Sequence, residues 1–540
     1  MQSTMMRVPL NLTHFLERAG RLFGSIEIVS RMPDKSLHRT TYGAFYRRSR
    51  LLAEALQKAG LNKGERVATL MWNHYAHFEA YFGVIASGGV MHTLNLRLAA
   101  EDIGFIANHA EDRFIIVDDV LLPLFEQFRA KTRIEQVIVV PLTGKPVPEG
   151  YLDYEEFLRT ATGDWDYPEM HEDDPIAMCY TSGTTGKPKG VVYSHRSQVL
   201  HTLVQCIPDS IGLSGHDVLL PVVPMFHANA WGIPYAAAML GMKLVFPGPH
   251  LHPEDLLPLL ESEKVTVSCG VPTIWLGMVQ TLDRYPGRWK FQPGLRLTVG
   301  GSAVPESLIR AFAKLDIEVI QGWGMTETSP LATISKVIHT QGEVTLDERY
   351  ATVATQGYPL PLVDLRIQGD DGEQPWDGSA VGEIQVHGPW ITGSYHDLPA
   401  SQDSFTEDGW LRTGDVAAIS PLGFVKITDR TKDLIKSGGE WISSVDLENA
   451  IMGHPAVAEA AVIAVPHPRW AERPLAVIVF KKDANATIDE LKQYLAGKFA
   501  KWAVPDAYVF VDAIPRTSTG KFLKTRLREQ YRDWKWETAA

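Results

Sequence analysis

Cysteine is scarce in this chain of 540 residues. The three cysteines, Cys179, Cys206 and Cys269, are an odd number and lie at no spacing typical of metal ligands. We therefore expect buried structural thiols in a reducing compartment rather than a disulfide framework. The first seven residues also lack the apolar segment of a secretory signal peptide. Both absences predict a cytoplasmic protein.

Long hydrophobic runs and an excess of positive charge are lacking too. The most apolar stretch, residues 222–249, is interrupted by Asn229, Pro234 and Lys243, so it indicates core and pocket wall rather than a transmembrane segment. A net charge of −12 argues against nucleic acid or anionic membrane as partners. With 45% apolar and 21% charged residues, the composition is that of an ordinary soluble protein, and its length predicts at least two domains.

The chain does show an alternation of helix-like and strand-like segments. Apolar positions at helical spacing over residues 43–60 precede a strand-like run at 66–71. The same order recurs at 99–109 with 114–117, at 254–263 with 265–268, and at 305–314 with 317–320. This alternation predicts an α/β fold with largely parallel sheets. From about residue 362 to 429, short strands separated by Gly and Asp turns predict a β-rich subdomain.

A change of pattern near residues 429–432 indicates a domain boundary. A strand-like run at 423–428 precedes it, and the polar, glycine-bearing residues 436–440 follow. We expect a large N-terminal domain at 1–429, a hinge at 430–435 and a small α+β C-terminal domain at 436–540. Ser443 followed by Asp446 is typical of a capping box, which predicts a helix through residue 450.

Residues 180–190 form the strongest local motif, because three glycines, four hydroxyl residues and two lysines follow the apolar run 176–179. The amides and hydroxyls of such a loop can surround phosphate oxygens. It is not a Walker loop, since only two residues separate Gly183 from Gly186 and Pro188 follows Lys187. Proline disfavours a helix start at that point, so we predict a mobile phosphate-binding loop. A glycine-rich surface turn is the alternative.

Two further segments supply groups that suit a nucleotide. In residues 321–327, glycines permit close backbone approach, Trp323 offers a flat face for a base, and Thr326 and Glu327 are oxygen donors suited to Mg²⁺. Residues 410–415 end in Asp415, whose carboxylate can accept two hydrogen bonds from a ribose diol. Each segment alone is also typical of an ordinary packing turn.

Two more segments are rich in charge. Residues 429–448 are dense in Lys, Arg and Asp, which by itself is typical of a solvated linker. Residues 514–524 place Lys521 on a glycine-containing turn after three hydroxyl residues. A mobile basic loop of this kind can close on a phosphate and neutralise developing charge. Taken singly, it is equally typical of a surface loop.

In their order and approximate spacing, these five segments resemble the acyl-adenylate-forming ligases, which include acyl-CoA synthetases, luciferases and the adenylation domains of peptide synthetases. The resemblance covers nearly the whole chain. Residues 223–231, 299–303 and 436–444 are similar to the medium- and long-chain fatty acyl-CoA synthetases of bacteria, a branch that also includes ligases for 3-methylthiopropionate. In this family a carboxylate attacks the α-phosphate of Mg·ATP, and the thiol of CoA then displaces AMP.

The resemblance implies roles for particular residues. Lys521, Glu327 and His227 would act in catalysis, and Thr181 and Glu327 would serve Mg²⁺. The residues implied to hold ATP or AMP are Thr181, Ser182, Gly183, Thr184, Thr185, Gly186, Lys189, Gly301, Gln321, Gly322, Trp323, Thr326, Asp415, Arg430, Lys432, Lys436 and Trp441. Rotation of the C-terminal domain about the hinge at Lys432 would withdraw Lys521 and bring Gly438, Gly439 and Glu440 to the site for CoA.

The acyl group is less well defined. The resemblance implies that Trp231 gates an acyl pocket formed with His227, Ala228 and Gly301. Between residues 222 and 242 there is no charged residue apart from the titratable His227, which favours an apolar acyl tail, as in medium- and long-chain fatty acids. A ligase for a short thioether acid or an aryl acid is the alternative within the same mechanism.

Three further expectations concern partners and the nucleotide. An adenylation module that loads a carrier protein is the alternative from another class, although no carrier-domain serine motif follows Lys521. Relatives in this branch often form homodimers through the N-terminal domain, which implies a homodimer here. The family most often has tyrosine where this chain has Trp323, so we expect stacking on adenine to be kept and a phenol hydrogen bond to be lost.

Overall fold

A computed structural model of the chain describes residues 3–181, 188–398, 403–437, 440–517 and 520–536, and for Glu440 the backbone alone. Within these ranges, four sheets and their helices follow one another in the order that the alternating pattern predicts. The predicted α/β class is confirmed, with largely parallel sheets first and antiparallel sheets toward the C-terminus.

The larger of the two parallel sheets has nine strands among the described residues. Its central pairs are parallel, and antiparallel strands close both edges. In spatial order the strands are Tyr358–Pro359, Leu331–Ser335, Glu318–Gly324, Arg296–Val299, Val267–Gly270, Val218–Pro221, Lys243–Phe246, Glu27–Arg31 and Leu37–Thr41.

The second sheet has seven strands and leads directly into the phosphate-loop segment. All neighbouring strands are parallel except the last pair, Pro175–Tyr180 with Gly190–Ser194, which flanks that segment. In spatial order the strands are Leu152–Asp153, Gln136–Val140, Phe114–Asp118, Arg66–Leu70, Val90–Thr93, Pro175–Tyr180 and Gly190–Ser194.

Helices connect these strands and cover them with a shared core. Helix Tyr42–Lys58 packs on helix Tyr75–Ala86, where the rings of Phe45 and Phe78 stack with centroids 4.1 Å apart. Apolar side chains of both sheets join the same buried cluster. The remaining helices of this part are Thr13–Leu22, Ala100–His109, Leu122–Arg129, Tyr154–Arg159, His195–Cys206, Ile233–Leu240, Pro253–Ser262, Pro272–Arg284, Glu306–Ala313 and Leu346–Val353.

The β-rich subdomain is a five-stranded antiparallel sheet, ordered Gly372–Glu373, Asp364–Gly369, Val381–His387, Leu411–Ile419 and Val425–Arg430. A second five-stranded sheet follows after residue 430, with its own apolar clusters. Its strands are Glu440–Ile442, Ile435–Ser437, Ala471–Phe480, Val457–His467 and, paired to the third of these, Ala507–Phe510. Its helices are Ser444–Met452, Ile488–Leu495 and Lys524–Gln530.

Some local predictions were wrong in their limits. The strand expected at 317–320 runs from Glu318 to Gly324, so Gln321, Gly322 and Trp323 belong to the strand and not to the loop after it. The capping box at Ser443 is half formed, because its side chain accepts from the Asp446 N–H at 3.0 Å while the Asp446 carboxylate pairs with Lys426 at 3.4 Å. In the described parts of the chain, we find no helix long and apolar enough to cross a bilayer.

Candidate active site

A cavity of about 810 Å³ lies where the carboxyl ends of the parallel strands meet the antiparallel sheet and the loop around Lys521. A smaller adjoining cavity of about 230 Å³ shares part of its wall and adds Gln321 and Asp415. The predicted site residues that line the larger cavity are Thr181, Lys189, His227, Ala228, Trp231, Gly301, Gly322, Trp323, Thr326, Glu327, Arg430, Lys432 and Lys521. Segments more than 300 positions apart therefore converge on one space.

Two other predicted site residues, Lys436 and Trp441, do not line these cavities. Lys436 and Trp441 face each other across the hairpin Ile435–Ser437/Glu440–Ile442, with the Lys436 ammonium 5.2 Å from the indole ring and Trp441 55% exposed. Ser182, Gly183, Thr184, Thr185 and Gly186, together with Gly438, Gly439 and the side chain of Glu440, lie outside the described residues.

The two ends of the phosphate-loop segment are held together at the cavity wall. Thr181 N–H donates to the Lys189 carbonyl at 2.9 Å, and Lys189 N–H donates to the Thr181 hydroxyl at 3.1 Å. The Lys189 ammonium lies 4.6 Å from the ring centroid of Tyr395 and donates to the Ser404 hydroxyl at 3.3 Å. The Lys189 ammonium and the Ser404 hydroxyl are therefore adjacent at the cavity wall, and both groups can bind phosphate oxygens.

Glu327 supplies a buried carboxylate next to that cation. Its Oε1 accepts from the Tyr395 hydroxyl at 2.7 Å, and the residue is 5% exposed. Burial raises the pKa of Glu327, while the Tyr395 hydrogen bond and the charges of Lys189 and Arg430 oppose that rise. Carboxylate and hydroxyl oxygens are ligands that Mg²⁺ accepts beside water and substrate phosphates. Glu327 and Thr181 thus suit a cation that arrives with a phosphate group.

Trp323 and Asp415 form a fixed pair on the nucleotide side. The indole N–H donates to Asp415 Oδ2 at 2.9 Å, and Arg430 Nε lies 3.2 Å from Asp415 Oδ1. The predicted loss of a phenol hydrogen bond at this position is therefore accompanied by an indole bond to Asp415. Glycine is needed after Trp323, because a Cβ at Gly324 would lie 1.7 Å from the Pro330 carbonyl oxygen. A Cβ at Gly322 would lie 2.6 Å from Leu331 Cδ1, and that side chain would have to shift.

Lys521 enters the cavity from the C-terminal region. Backbone bonds shape its turn, with Thr517 N–H donating to the Lys521 carbonyl at 2.7 Å and Lys521 N–H donating to the Thr517 hydroxyl at 3.1 Å. Gly301 beside it has a φ of +90°, which favours glycine, and a Cβ there would lie 3.3 Å from Val271 Cγ1 and 3.7 Å from Lys521 Cε. Burial lowers the pKa of Lys521 to about 8, and Arg430 adds to this while Asp415 and Glu327 oppose it.

His227 contributes a neutral imidazole to the same wall. Burial lowers its pKa to about 3, with further lowering by the charges of Lys521 and Arg97. At neutral pH the ring can therefore donate and accept hydrogen bonds, but it carries no charge. It can orient a carboxylate or carbonyl group in the cavity without adding a second cation beside Lys521.

The turn after His227 is left-handed over consecutive residues. Ala228, Asn229, Ala230 and Trp231 have φ of 37°, 40°, 52° and 59°, and Gly232 follows at 73°. Such a run costs conformational energy and needs outside contacts to persist. Gln205 Nε2 donates to the Trp231 carbonyl at 2.5 Å, and Asn229 N–H donates to Cys179 Sγ at 3.2 Å. Trp231 is thereby fixed against the strand end at Gly300, where a Cβ would lie 3.4 Å from its ring.

Several cavity residues escaped the sequence analysis. Tyr395 contacts both Glu327 and Lys189, Gln205 holds the left-handed turn, and the imidazole of His109 lies 2.7 Å from the Tyr180 hydroxyl at the start of the phosphate-loop segment. None of them lies in a recognisable motif. The one available signal was the position of Gln205 on a helix that directly follows the strand after the glycine-rich segment.

The fold and this cavity define an adenylate-forming class of enzyme. The chain belongs to the AMP-binding enzyme family: the model of that family matches residues 17–396, and the model of the AMP-binding enzyme C-terminal domain matches residues 446–521. The predicted family is confirmed, and with it an enzyme that uses ATP and is related to CoA ligases.

Curated relatives match almost end to end. The chain is 51% identical to a long-chain fatty acid–CoA ligase of Thermus thermophilus, covering 98% of this chain and 97% of the relative. It is 43% identical to a 3-methylmercaptopropionyl-CoA ligase of Ruegeria pomeroyi, covering 99% of both chains. It is 42% identical to a medium-chain fatty acid–CoA ligase of Ectopseudomonas oleovorans, covering 99% and 98%.

Solved structures of related enzymes share the fold. The anthranilate CoA ligase AuaEII in complex with anthranoyl-AMP superposes with a TM-score of 0.86 at 23% identity, covering 98% of this chain and 99% of that one. ATP-bound MatB from Rhodopseudomonas palustris gives a TM-score of 0.82 at 26% identity, covering 97% and 99%. The architecture is thus that of acyl-CoA ligases over nearly its whole length.

Proposed function

We propose that this protein is an ATP-dependent fatty acid–CoA ligase. It forms an acyl-AMP and pyrophosphate from a carboxylic acid and ATP, and then acyl-CoA and AMP. The observation that carries the proposal is the position of the Lys521 ammonium, which shares one cavity with Glu327 at the phosphate end and with Trp323 and Arg430 at the nucleotide end. That placement suits neutralisation of charge between a carboxylate and the α-phosphate.

The first step is a displacement at phosphorus, in which positioning and charge neutralisation dominate. Trp323 offers its face to adenine while its N–H keeps Asp415 in place, and Asp415 and Arg430 hold the ribose. Lys189 and Thr181 hold the outer phosphates, and neutral His227 orients the acid. Lys521, with its pKa near 8, is largely charged at neutral pH and bridges the two reacting groups.

Magnesium fits the phosphate end of this cavity. In the described ranges, no three His, Cys, Asp or Glu side chains are grouped as a metal site. A cation held by Glu327 and Thr181 would instead complete its shell with water and phosphate oxygens, which is how Mg²⁺ is bound beside nucleotides. When bound, the ion would offset the negative charge of the phosphates.

A medium- to long-chain fatty acid is the proposed substrate class. The acyl side of the cavity is formed by apolar or small groups, among them Ala228, Trp231, Val299 and Leu331. Two of the relatives described above carry fatty acid–CoA ligase in their names, and another is a ligase for 3-methylmercaptopropionate. A short thioether acid is therefore the alternative substrate that the assay must separate from fatty acids.

The CoA step requires a second arrangement of the C-terminal domain. Lys436 and Trp441 lie outside the cavity in this structure, on the exposed face of the hairpin that is next to the predicted CoA residues 438–440 in sequence. Rotation about residues 430–435 would exchange Lys521 for that hairpin.

We also propose that the protein is cytoplasmic and forms a homodimer. Light scattering measures the mass in solution and should give that of two chains; the mass of a single chain would contradict the homodimer.

A CoA-dependent assay across acetate, methylthiopropionate, octanoate, palmitate and benzoate tests the substrate proposal. We expect the highest kcat/KM with octanoate or palmitate and the loss of most of that activity in Lys521→Ala. A preference for methylthiopropionate or benzoate would replace the fatty acid by the alternative substrate. Acyl-AMP that forms but passes to no free CoA would indicate a carrier-protein loader instead.

A further inference from the structure

A buried charge cluster lies close behind the catalytic lysine. Lys524 begins the helix Lys524–Gln530, three residues after Lys521. Its ammonium is 2.7 Å from Glu448 Oε1 and donates to the Ser444 hydroxyl at 2.5 Å. The side chains of Lys524 and Glu448 are only 11% and 10% exposed, so this ion pair is withdrawn from water. Removing one partner of such a buried ion pair is strongly destabilising, because the other charge is left buried without compensation.

The cluster crosses the proposed boundary between the two domains. Asp429 belongs to strand Val425–Arg430 and is 1% exposed, and its Oδ2 accepts from Ser444 N–H at 2.8 Å. The adjacent Ser443 hydroxyl donates to the carbonyl of Thr428. Because Lys524 bonds Ser444, the last helix, the helix Ser444–Met452 and the strand before the hinge are joined through one serine.

The charges in this cluster depend on Lys524. Burial alone would lower the pKa of Lys524, but the carboxylates of Glu448, Asp429 and Asp433 raise it. Burial raises the pKa of Glu448 to about 7, against the lowering effect of Lys524. Burial likewise raises the pKa of Asp429, again opposed by Lys524. Without this lysine, two buried carboxylates would lose their shared cation, which is costly in a protein interior.

The start of the Lys521 loop is anchored differently. Arg516 pairs with Glu459 at 2.5 Å and donates to the Gly520 carbonyl at 2.7 Å. All of these groups, like Lys524, Glu448 and Ser444, lie after the hinge, so they move together with the C-terminal domain in any arrangement. Asp429 and Thr428 lie before it. The bonds from Ser444 to Asp429 and from Ser443 to Thr428 therefore distinguish this arrangement of the domains from a rotated one.

We propose that Lys524, with Glu448, Ser444 and Asp429, is a positioning cluster that holds the C-terminal domain in the arrangement in which Lys521 reaches the cavity. The inference rests on the proposed two-step function, and it assigns Lys524 to the first step alone. Lys524 is not a catalytic residue, because its ammonium is engaged by Glu448 and Ser444. When the domain rotates for the CoA step, Ser443 and Ser444 must separate from Thr428 and Asp429, while the Lys524–Glu448 pair moves with the domain.

Separate assays of the two half-reactions test this role in Lys524→Met, Glu448→Gln and the control Arg526→Met, which changes an exposed residue on the same helix. We expect acyl-AMP formation to fall about tenfold or more in Lys524→Met, as for loss of a buried ion-pair partner. Conversion of preformed acyl-AMP to acyl-CoA should stay within about twofold of the unchanged enzyme, a difference below 1 kcal/mol. Arg526→Met should alter neither rate. A loss of similar size in both steps would overturn the proposal.

Amide hydrogen exchange of the ligand-free enzyme gives a readout that does not depend on activity. Residues 514–525 should exchange faster in Lys524→Met than in the unchanged enzyme, with the nine-stranded sheet unaltered. Equal exchange in this segment would contradict the positioning role. If the unchanged enzyme forms no acyl-AMP, the proposed function fails while exchange still decides the role of Lys524. If Lys524→Met does not fold, Glu448→Gln, which can keep a bond to Val462 N–H, replaces it in both measurements.

Discussion

At the scale of single residues, the site works by placing few charges in a poorly solvated space. Lys521 and Glu327 line the same cavity. Burial lowers the pKa of Lys521 and raises the pKa of Glu327, so it favours the neutral form of each group. His227 is already neutral, since burial and nearby cations lower its pKa to about 3. Of Lys521 and His227, Lys521 is thus the group whose charge changes nearer to physiological pH, and the first half-reaction should follow its titration.

The pH dependence of the two half-reactions tests this assignment. Because burial lowers the pKa of Lys521 to about 8, its ammonium is present below that pH and lost above it. Acyl-AMP formation should therefore decline as pH rises through about 8, and Lys521→Arg should lose that decline because arginine stays charged. Lys521→Ala should lose most of the first step and still convert preformed acyl-AMP. Equal losses in both steps would refute this role.

At the scale of secondary-structure elements, strand Glu318–Gly324 carries much of the site. It places Trp323 beside Asp415 and runs so close to the segment around Pro330 that side chains are excluded at its end. Helix His195–Cys206 supports the opposite wall, where Gln205 bonds the Trp231 carbonyl and His201 Nε2 accepts from Leu331 N–H at 3.2 Å. Substitutions in both elements should change the free energy of unfolding, which can be measured without an activity assay.

A methyl group at Gly324 should disturb that strand. In Gly324→Ala the new Cβ would meet the Pro330 carbonyl oxygen at 1.7 Å, and backbone has to move. We expect a loss of about 1–3 kcal/mol in the free energy of unfolding, as for other overpacked sites. Gly393→Ala is the matched control, because nothing lies within 4 Å of its Cβ position. Denaturant unfolding of both variants gives the comparison, and equal stability of the two would show that the strand does not run as described.

Helix His195–Cys206 should make the fold sensitive to acid. Burial lowers the pKa of His201 to about 3, below its ordinary value of 6.5, so the unfolded chain takes up the proton first. This group therefore destabilises the fold progressively as pH falls from 6.5 toward 3. In His201→Gln, whose amide oxygen can still accept from Leu331 N–H, the loss should shrink by about 1.4 kcal/mol per pH unit. Unfolding free energies at pH 5, 6 and 7 measure the difference, and parallel curves would contradict it.

The limits of the sequence analysis also appear at this scale. Periodic apolar spacing predicted a helix over 43–60, and the structure has Tyr42–Lys58, since burying one face fixes the period locally. Sheet order was not predictable, because Glu27–Arg31 pairs with Lys243–Phe246 more than 200 positions away. Motif glycines and charges indicated the nucleotide side of the site. Tyr395 and the Trp323–Asp415 bond were missed, since their partners are 68 and 92 positions apart and meet only after packing.

At the scale of the whole molecule, two parallel sheets form the body of the site, and the region after residue 430 adds Lys432 and Lys521 to its lining. The hairpin with Lys436 and Trp441 stays outside. Lys521 inside the cavity and the hairpin outside it agree with the proposed two-step reaction, in which each step uses a different face of the C-terminal domain. The proposed first step requires that ATP is cleaved between its α- and β-phosphates.

Product analysis with ATP, CoA and octanoate or palmitate tests that claim most directly. Chromatography of a completed reaction should show one AMP and one pyrophosphate for each acyl-CoA formed, and acyl-AMP should accumulate when CoA is withheld. Lys521→Ala should produce acyl-AMP and pyrophosphate at a small fraction of the rate of the unchanged enzyme. Formation of ADP and phosphate, or no accumulation of acyl-AMP when CoA is withheld, would contradict the account.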